Sequence, residues 1–320
     1  MKSRNINVKS KIYLLAIINL ILIMLFIFLG LNESNFNYNI SKRIPKIIAI
    51  IISGSSIAFS SLVFQTMTNN RILTPSILGL DSLYIFFQTV IVLMFGSSSI
   101  FMLNKNINFI FSTMLMIIGT LTLYKLVVLR KRNIFFLLLV GTVMGTLLKT
   151  SATFMQVIID PNEFEALQTV LYASFNNVNI NILFFSLIIT VVIAGVVYDD
   201  IKKYDVMLLG RENAINLGIN YDKLSYKIII IVSILIAVST ALVGPLTFLG
   251  ILIVNLSYQW LKTYKHNLLI IGSILISILA LVGGQFIVER ILNYSSTVSI
   301  IINFIGGVYF IYLLLKESNI

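Results

Sequence analysis

Residues able to do chemistry are scarce in this chain, and their spacing excludes most of it. There is no cysteine and a single histidine, His266. Disulfides, thiolate metal sites and a histidine cluster within one chain are therefore excluded. No stretch matches GxxxxGK[ST], the loop whose backbone amides cradle nucleotide phosphates. HExxH is absent, no span holds paired carboxylates, and no nucleophile has a convincing base. The expectation is a chain without catalysis of its own.

What remains is a handful of polar groups in apolar surroundings. Asp81 is the only acid near the start of an apolar span. There it can cap a helix N-terminus, pair with Arg71, or hold a proton or sodium ion. Arg43, Lys46, Glu289 and Arg290 flank spans and can act as interfacial anchors or dock an acidic partner. The most unusual stretch is a polar island, Leu209-Gly-Arg-Glu-Asn-Ala-Ile-Asn-Leu-Gly-Ile-Asn220. Leu209-Gly210 and Leu217-Gly218 stand eight residues apart. Ala214 and Leu217 can share a helix face, leaving Arg211 and Glu212 to solvent or a partner. An ordinary loop and a structured contact to another chain both fit this spacing.

The elements that position these groups are apolar. Of 320 residues, 58% are hydrophobic and 11% charged, and the mean hydropathy is +0.99. Continuous apolar runs of about 20 residues predict membrane helices rather than a barrel. Ten spans are predicted: 12–31, 44–64, 80–95, 107–129, 134–159, 180–198, 224–243, 246–260, 268–288 and 298–315. The first is too long for a signal peptide and has no small-residue cleavage site after Gly30. Pro45 is read as the first turn of the second helix. Residues 65–79 are too polar to face lipid and predict a loop or irregular backbone buried in protein. Asp160-Pro161 opens a short amphipathic helix to about residue 175. Gly141 and Gly145 form a GxxxG pair for close packing, within the chain or at a dimer seam.

Charge sets the orientation. Seventeen of the 23 Lys and Arg fall on the side of both termini and the island. Six fall opposite: Lys42, Arg43, Lys46, Lys105, Lys149 and Arg290. The positive-inside rule then predicts cytoplasmic termini and a cytoplasmic island. The net charge of +11 is explained by this bias, with no role for nucleic acid.

Several motifs, in order and at matching spacing, resemble the FecCD-type permeases of bacterial ABC importers for iron-siderophores, haem and cobalamin. They are Arg43-Ile-Pro-Lys46, Ser53-Gly54, Gln65, Asn70-Arg-Ile-Leu-Thr-Pro75 and Ile77-Leu-Gly79. Asp160-Pro161 with Glu163, the island, Gly244-Pro-Leu-Thr-Phe-Leu-Gly250 and Ile305-Gly-Gly-Val-Tyr-Phe-Ile-Tyr-Leu-Leu314 complete the set. Leu80-Asp81 and Val254-Asn255 depart from the usual Gly-Ala and Pro-His and resemble the subgroup serving catecholate siderophores such as petrobactin, enterobactin and anguibactin. The resemblance implies a type II importer permease fold: one all-α transmembrane domain over residues 1–320 of a bacterial cytoplasmic membrane. It implies a coupling segment at about 204–222, with Leu209, Gly210, Arg211, Glu212, Ala214, Leu217 and Gly218 meeting a cytoplasmic ATPase. Arg43, Lys46 and Arg290 would dock an extracellular substrate-binding lipoprotein. Gln65, Asn70, Pro75, Asp81, Met155 and Phe175 would line the path for a ferric siderophore, against a second and different permease chain. ATP would sit on the ATPase, and this chain would bind no cofactor. An ion-coupled secondary transporter, or a cobalamin or haem importer of the same fold, is the alternative.

Overall fold

The computed structural model describes residues 2–33, 36–128, 134–176 and 178–317. The basic run 130–132, part of the charge bias, lies outside them. Among the described residues every regular element is a helix. In chain order these are α1 (Lys2–Phe28), α2 (Phe36–Thr68), a 3-10 turn (Pro75–Leu78), α3 (Leu80–Phe95), α4 (Ile100–Leu103), α5 (Lys105–Val128), α6 (Ile134–Ile158) and α7 (Pro161–Leu171). There follow α8 (Ile180–Tyr198), α9 (Ile201–Met207), α10 (Arg211–Asn216), α11 (Tyr221–Val243), α12 (Leu249–Leu261), α13 (His266–Arg290) and α14 (Val298–Glu317). Each of the ten apolar spans maps onto one helix: α1, α2, α3, α5, α6, α8, α11, α12, α13 and α14. Five of them are long and apolar enough to cross a bilayer by length and composition, and α3, α12 and α14 are shorter apolar helices. The chain is a multi-pass membrane protein.

Layering follows from side-chain size and polarity. In α2, 78% of the most apolar window is buried, against 17% in α1, so α2 is central and α1 peripheral. α2 packs against α11, α12 and α13. Its serines, including Ser53, Ser56, Ser60 and Ser61, let these helices approach closely. Ser53 donates back to the Ala49 carbonyl at 2.7 Å and so satisfies its own hydroxyl. The peripheral faces of α1 and α8 expose Ile, Leu, Val and Phe, the inverse of a soluble protein.

Two predicted boundaries differ. α2 starts at Phe36, so Pro45 lies inside the helix rather than in its first turn. The lost backbone donor falls opposite Ser41, which is exposed and can bond water. α7 ends at Leu171, because Ser174 donates its N–H to the Val243 carbonyl at 2.8 Å and turns the chain onto the end of α11. Elsewhere local signals hold. The Asp160 carboxylate caps α7 by accepting from Asn162 N–H at 2.9 Å, ahead of Pro161.

The broken region is shorter than predicted, since α2 runs to Thr68 and includes Gln65. It opens at Asn69, with φ of 50°. Asn70 then closes an Asx turn by accepting from Ile72 N–H at 2.9 Å. Pro75 begins the 3-10 turn, and Gly79 ends it with φ of 85°. A Cβ on Gly79 would lie 2.7 Å from the Gly145 Cα. The Gly141/Gly145 pair therefore serves packing within the chain, seating the broken segment against α6.

Candidate functional site

The polar island folds as two short helices, α9 and α10, hung between α8 and α11. Leu217-Gly218 forms the stop of α10. Ile219 N–H bonds the Ala214 carbonyl at 3.0 Å and Gly218 N–H bonds the Ile215 carbonyl at 2.9 Å. This is a Schellman motif, and it needs the left-handed φ of 86° that Gly218 supplies. Gly210, at φ of 88°, opens α10 and passes beside the Asn69 side chain at the end of α2.

Within the island Arg211 and Asn213 make internal hydrogen bonds while remaining exposed, Glu212 and Asn216 are exposed, and three large apolar side chains also face out. Arg211 donates to both carboxylate oxygens of Asp222 at 3.0 Å, tying α10 to α11. Asn213 donates to the Leu209 carbonyl at 2.8 Å. Ala214 is fully buried in the main core. Leu209, Ile215 and Leu217 are 54%, 46% and 62% exposed. Ala214 and Leu217 therefore do not share a buried face. Leu217 lies in the cap, where the backbone leaves the helical path and swings the side chain outward. Ile215, absent from the sequence-based set, belongs to the outward tip. Glu212 is exposed beside it.

Three anchors fasten this segment to the membrane body. Tyr204 and Met207 of α9 are fully buried. Tyr221 donates its hydroxyl to the Met67 carbonyl at 2.7 Å, one residue before α2 ends. The third anchor is His266, fully buried at the start of α13. Asp205 of α9 accepts from His266 backbone N–H and faces Nδ1, both at 2.7 Å. Nε2 faces the Thr66 hydroxyl of α2 at 2.7 Å. A carboxylate only accepts, so Nδ1 carries a proton. Thr66 has one hydroxyl proton and two takers, Nε2 and the Leu62 carbonyl at 2.9 Å. The Tyr258 ring of α12 lies 4.9 Å under the Arg71 guanidinium. Asp205, His266 and Thr66 thus join the island segment to the end of α2, where the broken region begins.

Asp200, just before α9, is 4% exposed at its side chain and is held by Lys203 and Lys227, each at 2.5 Å. Burial alone would raise its pKa. The hydrogen bonds and charges of the two lysines outweigh burial and hold the carboxyl below its ordinary value.

The remaining predicted residues are distributed differently. Arg43 is buried and donates to the Ile27 and Leu29 carbonyls at 2.6 and 2.9 Å. Lys46 is buried against Glu289 at 2.6 Å, with its ammonium 5.5 Å from the Tyr294 ring. Within this chain the carbonyls at the end of α1 hold Arg43, and a buried carboxylate holds Lys46. Arg290 is exposed and donates to the Leu29 carbonyl. Gln65 is buried, and neither of its amide atoms has a partner among the described residues. Asp81 is buried in the first turn of α3, with Oδ2 unpartnered among the described residues. Arg71 is engaged by Tyr258 rather than by Asp81. Pro75 is buried and Met155 half-buried. Phe175 is fully buried in the core, in a connector rather than a helix, so it lines no open surface here. Asn255 donates to the Arg71 carbonyl at 3.0 Å, joining α12 to the broken segment at the position where the resemblance departs from Pro-His.

A sequence profile of the FecCD transport family matches residues 8–316. The chain belongs to the FecCD transport family. It is 56% identical over 283 residues to the petrobactin import system permease protein YclO of Bacillus subtilis, covering 88% of this chain and 90% of that one. It is 34% identical to the petrobactin import system permease protein FatC of Bacillus anthracis, covering 87% and 79%. A solved chain of a metal-chelate type ABC transporter, in an inward-facing conformation, superposes with a TM-score of 0.82 at 20% identity, covering 97% and 99%. The fold is thus that of an ABC transporter permease.

Proposed function

We propose that this chain is the permease subunit of an ATP-driven importer carrying a ferric siderophore of catecholate type across the bacterial cytoplasmic membrane. The observation that carries the reading is the 56% identity, across nearly the full length of both chains, to a petrobactin import permease. The charge bias supports cytoplasmic termini and a cytoplasmic island. The exposed tip of Leu209, Ile215 and Leu217 is suited to an apolar groove on an ATPase. ATP binds and is hydrolysed on that partner, and its movement is delivered at the island. Tyr221, Asp205 and His266 pass the displacement to the end of α2 and on to the broken segment. A second permease chain completes the path, and the ferric siderophore is cargo. At the opposite end Lys42 of α2 and Arg290, closing α13, are exposed, as is Lys105 at the start of α5. Lys42 and Arg290 take the lipoprotein-docking role in place of Arg43 and Lys46.

The test is uptake of radiolabelled iron in cells lacking the chromosomal copy. A plasmid-borne wild-type chain should restore uptake of a ferric catecholate, and restoration should fail when the ATPase is removed. Uptake that persists without the ATPase, or restoration confined to cobalamin or haem, would contradict the proposal.

A further inference from the structure

Arg211, Lys203 and Lys227 beside the island are paired with carboxylates. A second group of cations, at the start of α1 and in the turn between α12 and α13, is not. No Asp or Glu occurs in residues 1–32 or 223–288. Lys9 and Lys262 are exposed, and Lys11 and Lys265 are half-buried. None of the four makes an ion pair among the described residues. Asp205, the carboxylate beside this turn, is engaged by His266.

Packing brings the unpaired group to one corner. Val8 of α1 shares an apolar cluster with Leu261 of α12 and Leu269 of α13. Lys11 donates to the Trp260 carbonyl at 2.8 Å, and its ammonium lies 6.0 Å from the Trp260 ring centre. That bond uses one of its three N–H donors. Trp260 is 48% exposed, and its indole N–H has no partner among the described residues. Just beyond it, Lys262 ends α12 in a left-handed backbone, with φ of 51°. Glycine would hold that cap without strain.

The corner lies at the level of a membrane interface. Tyr13 and Tyr264, at the same end, are 68% and 61% exposed, as in an aromatic belt. At about 100° per residue, Lys9 falls within about 40° of Tyr13 and Leu20, on the exposed side of α1. Lipid therefore reaches this corner along α1, the least buried of the five long apolar helices.

We propose that this corner, centred on Lys11, Trp260 and Lys262, binds the phosphodiester headgroup of an anionic bilayer phospholipid. Two ammonium groups and an indole N–H supply donors to the phosphate oxygens, and Lys9 and Lys265 add to the field. The acyl chains run beside the exposed apolar face of α1. The bound lipid ties the start of α1 to the turn between α12 and α13. The site requires only that the chain span a bilayer, so it stands apart from the proposed function.

Trp260 is the single tryptophan, so its fluorescence reports this corner alone. The full chain is reconstituted in vesicles of phosphatidylcholine and phosphatidylglycerol at a fixed ratio. Bromine is carried on the acyl chains of the phosphatidylglycerol, or of an equal amount of phosphatidylcholine. Quenching should give a relative affinity about fivefold or more in favour of phosphatidylglycerol at low salt, declining as salt is raised. K262Q, at an exposed side chain, should lower that ratio, and K11Q with K262Q should abolish the preference. K11R with K262R should retain it, and K202Q, at an exposed cation of α9, should leave it unchanged. Equal quenching by the two lipids in the wild type would refute the site. A preference that survives K11Q with K262Q, or falls equally with K202Q, would overturn its assignment to this corner. Quenching by aqueous iodide in place of either lipid would mark a corner open to a soluble partner and would overturn the lipid.

Discussion

The two aqueous ends of the molecule use the same residue types in opposite ways. At the island end, Arg211 is tied to Asp222 and Asp200 to two lysines, while Leu209, Ile215 and Leu217 stand out in solvent. At the other end, Arg43 and Lys46 are folded inward onto carbonyls and Glu289. The difference teaches where information lies in a greasy chain. A cation near a membrane surface is readily consumed by carbonyls at helix ends, so its presence says little about partners. An apolar side chain kept out of both lipid and core has no such use, and marks a contact.

The island tip offers the largest effect. I215D combined with L217D should leave the fold intact, because both side chains are exposed, and should reduce iron uptake by about a hundredfold or more. Retained uptake would erase the contrast between the ends. Next is Lys46. K46M leaves Glu289 buried and uncompensated, and should cost about 3 kcal/mol of stability by thermal unfolding in detergent. K46M with E289L should recover most of that loss. If K46M instead impairs lipoprotein capture without destabilising the chain, the inward reading of that end is wrong.

T66V should be milder. It removes a hydroxyl from His266 Nε2 and should cost about 1 kcal/mol. It should also raise hydrogen exchange in residues 69–79, whereas T66S should not. The smallest effect concerns pH. Asp200 has a lowered folded-state pKa, so its stabilisation is present above the ordinary carboxylate value and is lost as pH falls through the folded value. The gap in melting temperature between wild type and D200N should therefore exist at neutral pH and close in acid. A gap that widens in acid would contradict the assignment.

Much of this was legible in the residues. The bounds of α3 and α8 follow the apolar runs 80–95 and 180–198 because Gly79, Gly96 and Asn179 punctuate them. α2 was misread at its start because proline marks a first turn only when the preceding residues are not helical. The partners of His266 were hidden, since Asp205 and Thr66 lie 61 and 200 residues away. The inward turn of Arg43 was equally hidden, because the carbonyls that hold it carry no side-chain signature. Ile215 was passed over because Leu-Gly spacing drew attention to Leu217, and only the cap geometry shows that both point outward.

The central claim is that the island meets its ATPase through an apolar tip rather than through charge. It is tested most directly by measuring the affinity of the purified ATPase for the assembled permease in nanodiscs, across a range of salt. An apolar contact predicts an affinity nearly independent of salt, abolished by L217D and unchanged by R211Q. Binding that weakens steeply with salt, survives L217D and is lost with R211Q would contradict it.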